Sequence, residues 1–279
     1  MLKDLTEVIL GKSEHSLVEN GWGKEVANKI STYKFLYNSD ENIVRGYLSY
    51  PKGITEKLPI IIWNRGGNDK SGLLDDFLVS GVLGEIASWG YVVFASQYRE
   101  KDCFGGEDIN DVLNLIREAK GFELSDKNVI GMEGWSRGGM MTYLTLRSSR
   151  EIKTCIIVGG LSDLNRNEKY NEIHGVFFKR HFGGRNKDEY EKGKIERSAV
   201  NWADKISGNT SILFIHGTED EKILAEDSKE MYNKLSILNT ATKYELRLIN
   251  GGDHYLKKER KEVSKLRRQW FDINLKLKH

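Results

Sequence analysis

The stretch Gly134-Trp135-Ser136-Arg137-Gly138 sets a serine between glycines two residues away on either side, the G-x-S-x-G pattern of a nucleophile elbow. A serine hydroxyl attacks a carbonyl only when a base removes its proton, so the pattern requires a histidine. Six are available: His15, His174, His181, His216, His254 and His279. On an elbow fold the chain order is serine, acid, histidine, which removes His15. His279 is the last residue, and His174 and His181 fall in a polar, irregular segment. His216 ends an apolar run in His216-Gly217-Thr218-Glu219-Asp220 and suits a packed structural role. His254 instead follows the strand-like Lys243–Ile249 through Asn250-Gly251-Gly252-Asp253. A loop at the carboxyl end of a strand is where ligands meet an open α/β sheet, so His254 is the expected base.

The carboxylate that orients this base must lie between Ser136 and His254. Asp163, Asp204, Asp220, Asp227 and Asp253 qualify by order. Asp253 adjoins His254, and neighbouring side chains rarely fold back into the needed hydrogen bond. Asp227 falls in a helical pattern, and Asp204 precedes a strand rather than following one. Asp220 follows the apolar run Ile212–His216 by one short turn and is the expected acid, with Asp163, after the preceding strand, as its rival. The oxyanion of an acyl transfer also needs donors. The backbone N–H after the nucleophile belongs to Arg137. A second is expected from the loop Asn64-Arg65-Gly66-Gly67, at Gly67 with Gly66 close behind.

These residues need a scaffold, and the pattern supplies one. Ile30–Tyr37 and Ile43–Tyr50 read as a hairpin around the turn 38–42. Apolar runs at 58–63, 91–96, 129–133, 154–158, 212–216 and 243–249 then alternate with helical periodicity at 73–89, 108–120, 136–148, 225–238 and 256–275. Strands alternating with helices predict an α/β fold, a mainly parallel sheet with helices on both faces and an antiparallel hairpin at its front. Residues 1–29 read as a helical arm, and 30–279 as the catalytic domain. Within that domain 163–208 is a polar insert able to form a small cap, whose aromatics serve equally well as core.

The motifs GWSRGGMM, HGTEDEKI and GGDH, preceded by WNRGG, together resemble the catalytic domain of the prolyl oligopeptidase family of α/β-hydrolases. YVVFASQYR and VGGLSDL fit the same likeness, which runs from about Ile30 onward. The resemblance implies Ser136 as nucleophile, Asp220 as acid, His254 as base and the Gly67 and Arg137 N–H groups as oxyanion hole. Larger members carry an N-terminal β-propeller, and the short stretch ahead of Ile30 leads us to expect a stand-alone catalytic domain. The expected chemistry is hydrolysis of a peptide amide or small ester through an acyl-enzyme, without metal or organic cofactor. A carboxylesterase and a non-catalytic binding protein on the same fold are the alternatives.

Composition narrows the partners. With 43 Lys+Arg against 41 Asp+Glu the formal net charge is +2, so no chain-wide basic footprint suggests nucleic acid. The basic C-terminal helix, with Val263, Leu266, Trp270 and Phe271 on one face, has the pattern of any surface helix. No apolar run reaches the roughly 20 residues of a membrane span, and the acidic start does not resemble a secretory signal. Cys103 and Cys155 match no metal spacing and read as reduced thiols of a cytoplasmic protein. The expected partner is a small-molecule or short-peptide substrate, and a homo-oligomer is open.

Overall fold

The computed structural model describes residues 2–68, 71–184 and 186–276; His279 lies outside them. Nine strands form one sheet: β1 (Lys3–Glu7), β2 (Ile30–Ser39), β3 (Asn42–Pro51), β4 (Leu58–Asn64), β5 (Val92–Ser96), β6 (Ser125–Trp135), β7 (Ile152–Val158), β8 (Ser211–Gly217) and β9 (Tyr244–Ile249). Their order is 1-2-3-5-4-6-7-8-9. The β1/β2, β2/β3 and β3/β5 pairs are antiparallel, and every pair beyond them is parallel.

The central parallel strands carry apolar runs because both of their faces are covered, whereas the edge strand β9 alternates and leaves Arg247 and Leu248 exposed. Ile60 and Ile62 face one core, with Phe94, Met141 and Leu115, while Ile61 faces the other, with Leu83, Ile215 and Phe271. Ten helices supply the cover: α1 (Lys12–Trp22), α2 (Lys24–Lys29), α3 (Asp76–Ser88), α4 (Ile109–Gly121), α5 (Arg137–Ser148), α6 (Leu164–Tyr170), α7 (Glu172–Phe182), α8 (Lys187–Arg197), α9 (Glu226–Leu238) and α10 (Arg260–Leu275). Helices α3 and α10 pack on one face, and α4, α5 and α9 on the other. The segment 163–208 forms α6 to α8 and two 3-10 turns, and its Phe178, Tyr190 and Trp202 join the core that Ile60 and Ile62 face.

Two sequence expectations need correction. The segment ahead of Ile30 is not only helical, because Lys3–Glu7 is a strand on the free edge of β2. All five of its residues are exposed, so backbone pairing and the Lys3–Asn38 side-chain hydrogen bond hold it and no hydrophobic period announces it. The hairpin turn is tighter than 38–42, since Ser39 pairs Asn42 and only Asp40 and Glu41 form the loop. Asp40 takes φ +53° there, and its carboxylate accepts hydrogen bonds from Arg99 and Asn110, both at 2.9 Å.

The order of the central strands positions the site. From β4 the chain moves to β5 on one side and then to β6 on the other. The loops after β4 and β6 therefore part at a switch point, opening a crevice at the carboxyl end of the sheet.

Candidate active site

Ser136 sits where β6 turns into α5, at φ 58° and ψ −122°. A non-glycine residue there is strained by about 1–3 kcal/mol, so the surroundings must hold it. Its own N–H donates to Val158 O at 2.9 Å, and its carbonyl accepts from Gly139 N at 2.9 Å and Leu161 N at 3.2 Å. The flanking glycines are steric requirements. A Cβ on Gly134 would lie 2.1 Å from the Gly138 carbonyl oxygen, and one on Gly138 would lie 2.0 Å from the Asn64 carbonyl oxygen.

His254, in the loop after β9, lies between Ser136 and Asp220. Its Nε2 is 3.0 Å from Ser136 Oγ and its Nδ1 is 2.7 Å from Asp220 Oδ2. A carboxylate only accepts, so Nδ1 carries the hydrogen and Nε2 is left to accept the serine proton. Gly159, at φ +52°, makes room for this pair, since a Cβ there would lie 3.3 Å from Asp220 Oδ2. Asp220 is itself held. Its Oδ1 accepts from the N–H groups of Lys222 and Ile223, both at 2.9 Å, and His216 Nε2 is 3.3 Å from Oδ2. Burial works against ionisation, but the hydrogen bonds from His216 and His254 outweigh it and keep the Asp220 carboxyl well below the usual carboxylate range.

The rival carboxylates have other roles. Asp163 caps α6 by accepting from Asn165 N and Arg166 N. Asp227 is fully buried in α9 and accepts from Ser162 N at 2.8 Å, and burial pushes its carboxyl up. Asp253 accepts from Tyr255 N two residues on, and Asp204 lies in a 3-10 turn. The other described histidines also point to structural partners: His15 to Ala27 O, His174 to Asn167 O and His181 to Asp102 O. Cys103 and Cys155 are both free thiols.

Gly66 and Gly67 follow β4 and press against the elbow. A Cβ on Gly66 would lie 3.0 Å from the Trp135 carbonyl oxygen, and Gly67 takes φ +72°. The N–H groups of Gly67 and Arg137 have no acceptor among the described residues. The Arg137 side chain turns inward instead, binding Asp102 at 2.5 and 2.7 Å, Asp108 at 2.5 Å and the Gly67 carbonyl at 3.3 Å. It thereby ties the Gly67 loop to the residue that follows the serine.

Beside Ser136 and His254 opens a cavity of about 590 Å³. Trp22, Trp63 and Trp135 wall it, with Leu78 and Val82 of α3, and among the described residues none from 163–208 lines it. Behind it, the fully buried Glu133 accepts from Trp63 Nε1 at 3.1 Å, Trp135 Nε1 at 2.7 Å and Arg267 at 2.7 and 2.9 Å. Sequence reasoning missed His216 as a partner of Asp220 and missed this cavity entirely. A glutamate inside the apolar strand pattern Val129–Glu133 was the available signal for the second. Its walls come from six separate stretches between Trp22 and Arg267, and no local pattern joins those.

A profile of the prolyl oligopeptidase family matches residues 86–277, a stretch that includes Ser136, Asp220 and His254. The chain belongs to the prolyl oligopeptidase family. As a member it is a serine hydrolase of the peptidase type. A similar protein of Bacillus subtilis (strain 168), the uncharacterized peptidase YtmA, is 27% identical over 217 residues, or 75% of this chain and 81% of that one. A probable dipeptidyl-aminopeptidase B of Arthroderma gypseum is 24% identical over 215 residues, which cover 72% of this chain but 22% of the fungal protein. Pyrococcus horikoshii acylaminoacyl peptidase superposes with a TM-score of 0.76 at 24% identity, over 90% of this chain and 43% of the other. That likeness establishes the fold, an α/β-hydrolase with a mainly parallel sheet and antiparallel first strands. The chain spans less than half of that peptidase and about a fifth of the fungal relative. Among the described residues no helix is long and apolar enough to cross a membrane.

Proposed function

We propose that this prolyl oligopeptidase family member cleaves a peptide amide or small ester of a short substrate through an acyl-enzyme on Ser136. The observation that carries the reading is the position of His254, 3.0 Å from the serine oxygen and 2.7 Å from a carboxylate kept ionised. His254 Nε2 takes the hydroxyl proton as Ser136 Oγ bonds to the substrate carbonyl carbon. Asp220 fixes the ring tautomer and stabilises the imidazolium without itself taking the proton. The oxyanion lies on the N–H groups of Gly67 and Arg137, one such donor being worth about 3 kcal/mol of transition-state stabilisation. His254 then protonates the leaving group, whose bond to the acyl carbon breaks. Water attacks the acyl-enzyme by the same route in reverse and frees the serine.

Turnover of p-nitrophenyl butyrate, alanyl p-nitroanilide and prolyl p-nitroanilide, with Ser136→Ala as control, tests this. Amide turnover that requires Ser136 supports the peptidase. Ester turnover alone, lost in the variant, makes the protein a carboxylesterase on a peptidase fold. Activity that survives in Ser136→Ala contradicts the site.

A further inference from the structure

The cavity beside Ser136 has a polarity as well as a shape. Lys222, Lys257, Arg260 and Arg267 line it against one carboxylate, Glu85. Two of these cations are already matched. Arg267 is bound by Glu133 and by Glu85, at 2.7 and 2.9 Å, and Arg260 lies 3.9 Å from Glu85. Lys222 and Lys257 are exposed at the mouth, on either side of Tyr255. Lys222 donates to the Tyr255 hydroxyl at 2.6 Å, and Lys257 Nζ is 5.2 Å from the centre of its ring. Neither lysine has an ion-pair partner among the described residues. An anion is therefore welcome at this mouth and an ammonium group is repelled.

The apolar wall is built in place. Trp22, the last residue of α1, lies against Gly81 of α3, where a Cβ would come within 2.6 Å of the indole. Its ring also meets Phe77 edge-on at 5.8 Å and carries the Arg260 guanidinium at 4.2 Å. Trp63 and Trp135 line the cavity with their ring N–H groups fixed to Glu133, and the Arg267 guanidinium lies 5.6 Å from the centre of the Trp135 ring. The fourth side is the loop that carries His254, with Tyr255, Leu256 and Lys257. A base that gives its proton to the departing group must adjoin that group. The occupant of a cavity walled by the His254 loop is thus the leaving half of the substrate.

We propose that this cavity receives the leaving group, and that this group is an aromatic or bulky apolar amino acid whose free carboxylate is held by Lys222 and Lys257. The assignment to the leaving half rests on Ser136 and His254 acting as proposed above; the selectivity for an apolar anion does not.

Binding is read without turnover in Ser136→Ala by quenching of tryptophan fluorescence. The probes are 3-phenylpropionate, 3-phenylpropionamide and phenethylamine. The acid should quench saturably and bind roughly tenfold more tightly than the amide, with the amine weaker still. Lys222→Glu combined with Lys257→Glu, both at exposed positions, should erase the preference for the acid. Val82→Trp, which fills the cavity from its apolar wall and keeps every charged residue, should remove binding of all three. In the wild type, N-acetyl-alanyl-phenylalanine should be cleaved with a KM roughly tenfold below that of its C-terminal amide. Equal binding of acid and amide, preference for the amine, or no saturable quenching overturns the proposal. Selective binding of the acid by a protein that hydrolyses nothing overturns the leaving-group assignment and upholds the recognition of an apolar anion.

Discussion

At the residue scale, few atoms separate a packed histidine from a working one. His216 and His254 both approach Asp220 Oδ2, at 3.3 and 2.7 Å, but only His254 presents its other nitrogen to Ser136. His216 Nδ1 meets Ser228 Oγ at 2.7 Å instead, and its ring is fully buried. Asp220→Asn removes the acceptor that fixes the His254 tautomer, so kcat should fall by about 10⁴-fold with the fold retained, as steady-state kinetics and circular dichroism would show. An unchanged kcat would mean that another group orients the ring. Ser136, Asp220 and His254, which the structure brings together, were singled out in the sequence because each has a distinctive neighbourhood: an elbow that only glycine permits, and loops that follow strands. His216 was not, because an apolar strand ending in histidine suits a packed role equally well. The inward turn of Arg137 was not either, since its partners Asp102 and Asp108 lie about thirty residues upstream.

At the scale of elements, a buried ion pair joins β6 to α10. Glu133 and Arg267 are both buried, and both ring N–H groups of Trp63 and Trp135 converge on the same carboxylate. Removing one partner leaves the other charge without compensation. Arg267→Met should therefore lower stability by about 3–5 kcal/mol in urea unfolding. Adding Glu133→Leu should recover part of that loss, because the stranded charge is then gone while the ring N–H groups of Trp63 and Trp135 lose their acceptor. A double variant no better than the single would show that packing around Arg267, not its charge, holds α10. The strands β4 to β8 and their helices were readable because burial on two faces leaves apolar runs, and the edge strand β9 was readable from its alternation of polar and apolar residues. Exposed β1 was unreadable for the converse reason, and the two-residue turn at Asp40 depended on hydrogen bonds from the distant Arg99 and Asn110.

For the whole molecule, the charged form of Asp220 links the site to stability. Its carboxyl is depressed in the folded state, so its contribution is complete above the unfolded aspartate value of about 3.9. It is lost as the pH falls through the lower folded value. Wild type should therefore exceed Asp220→Asn in urea stability at neutral pH, with the margin shrinking as the pH is lowered below the ordinary aspartate range. A margin that widens toward acid would mean that the carboxyl is protonated in the folded protein. The crevice, the strained serine and this ionised carboxylate all lie at one end of the sheet, where the strand order parts the loops after β4 and β6. That order was not legible, because strand neighbours are set by long-range pairing that a local pattern does not encode.

Intact-mass analysis after treatment with an alkyl fluorophosphonate asks whether Ser136 is the nucleophile. One phosphonyl adduct per chain, mapped to Ser136, absent in Ser136→Ala and much slower to form in His254→Ala, is the predicted result. An adduct elsewhere, no adduct at all, or labelling that persists without Ser136 would contradict it.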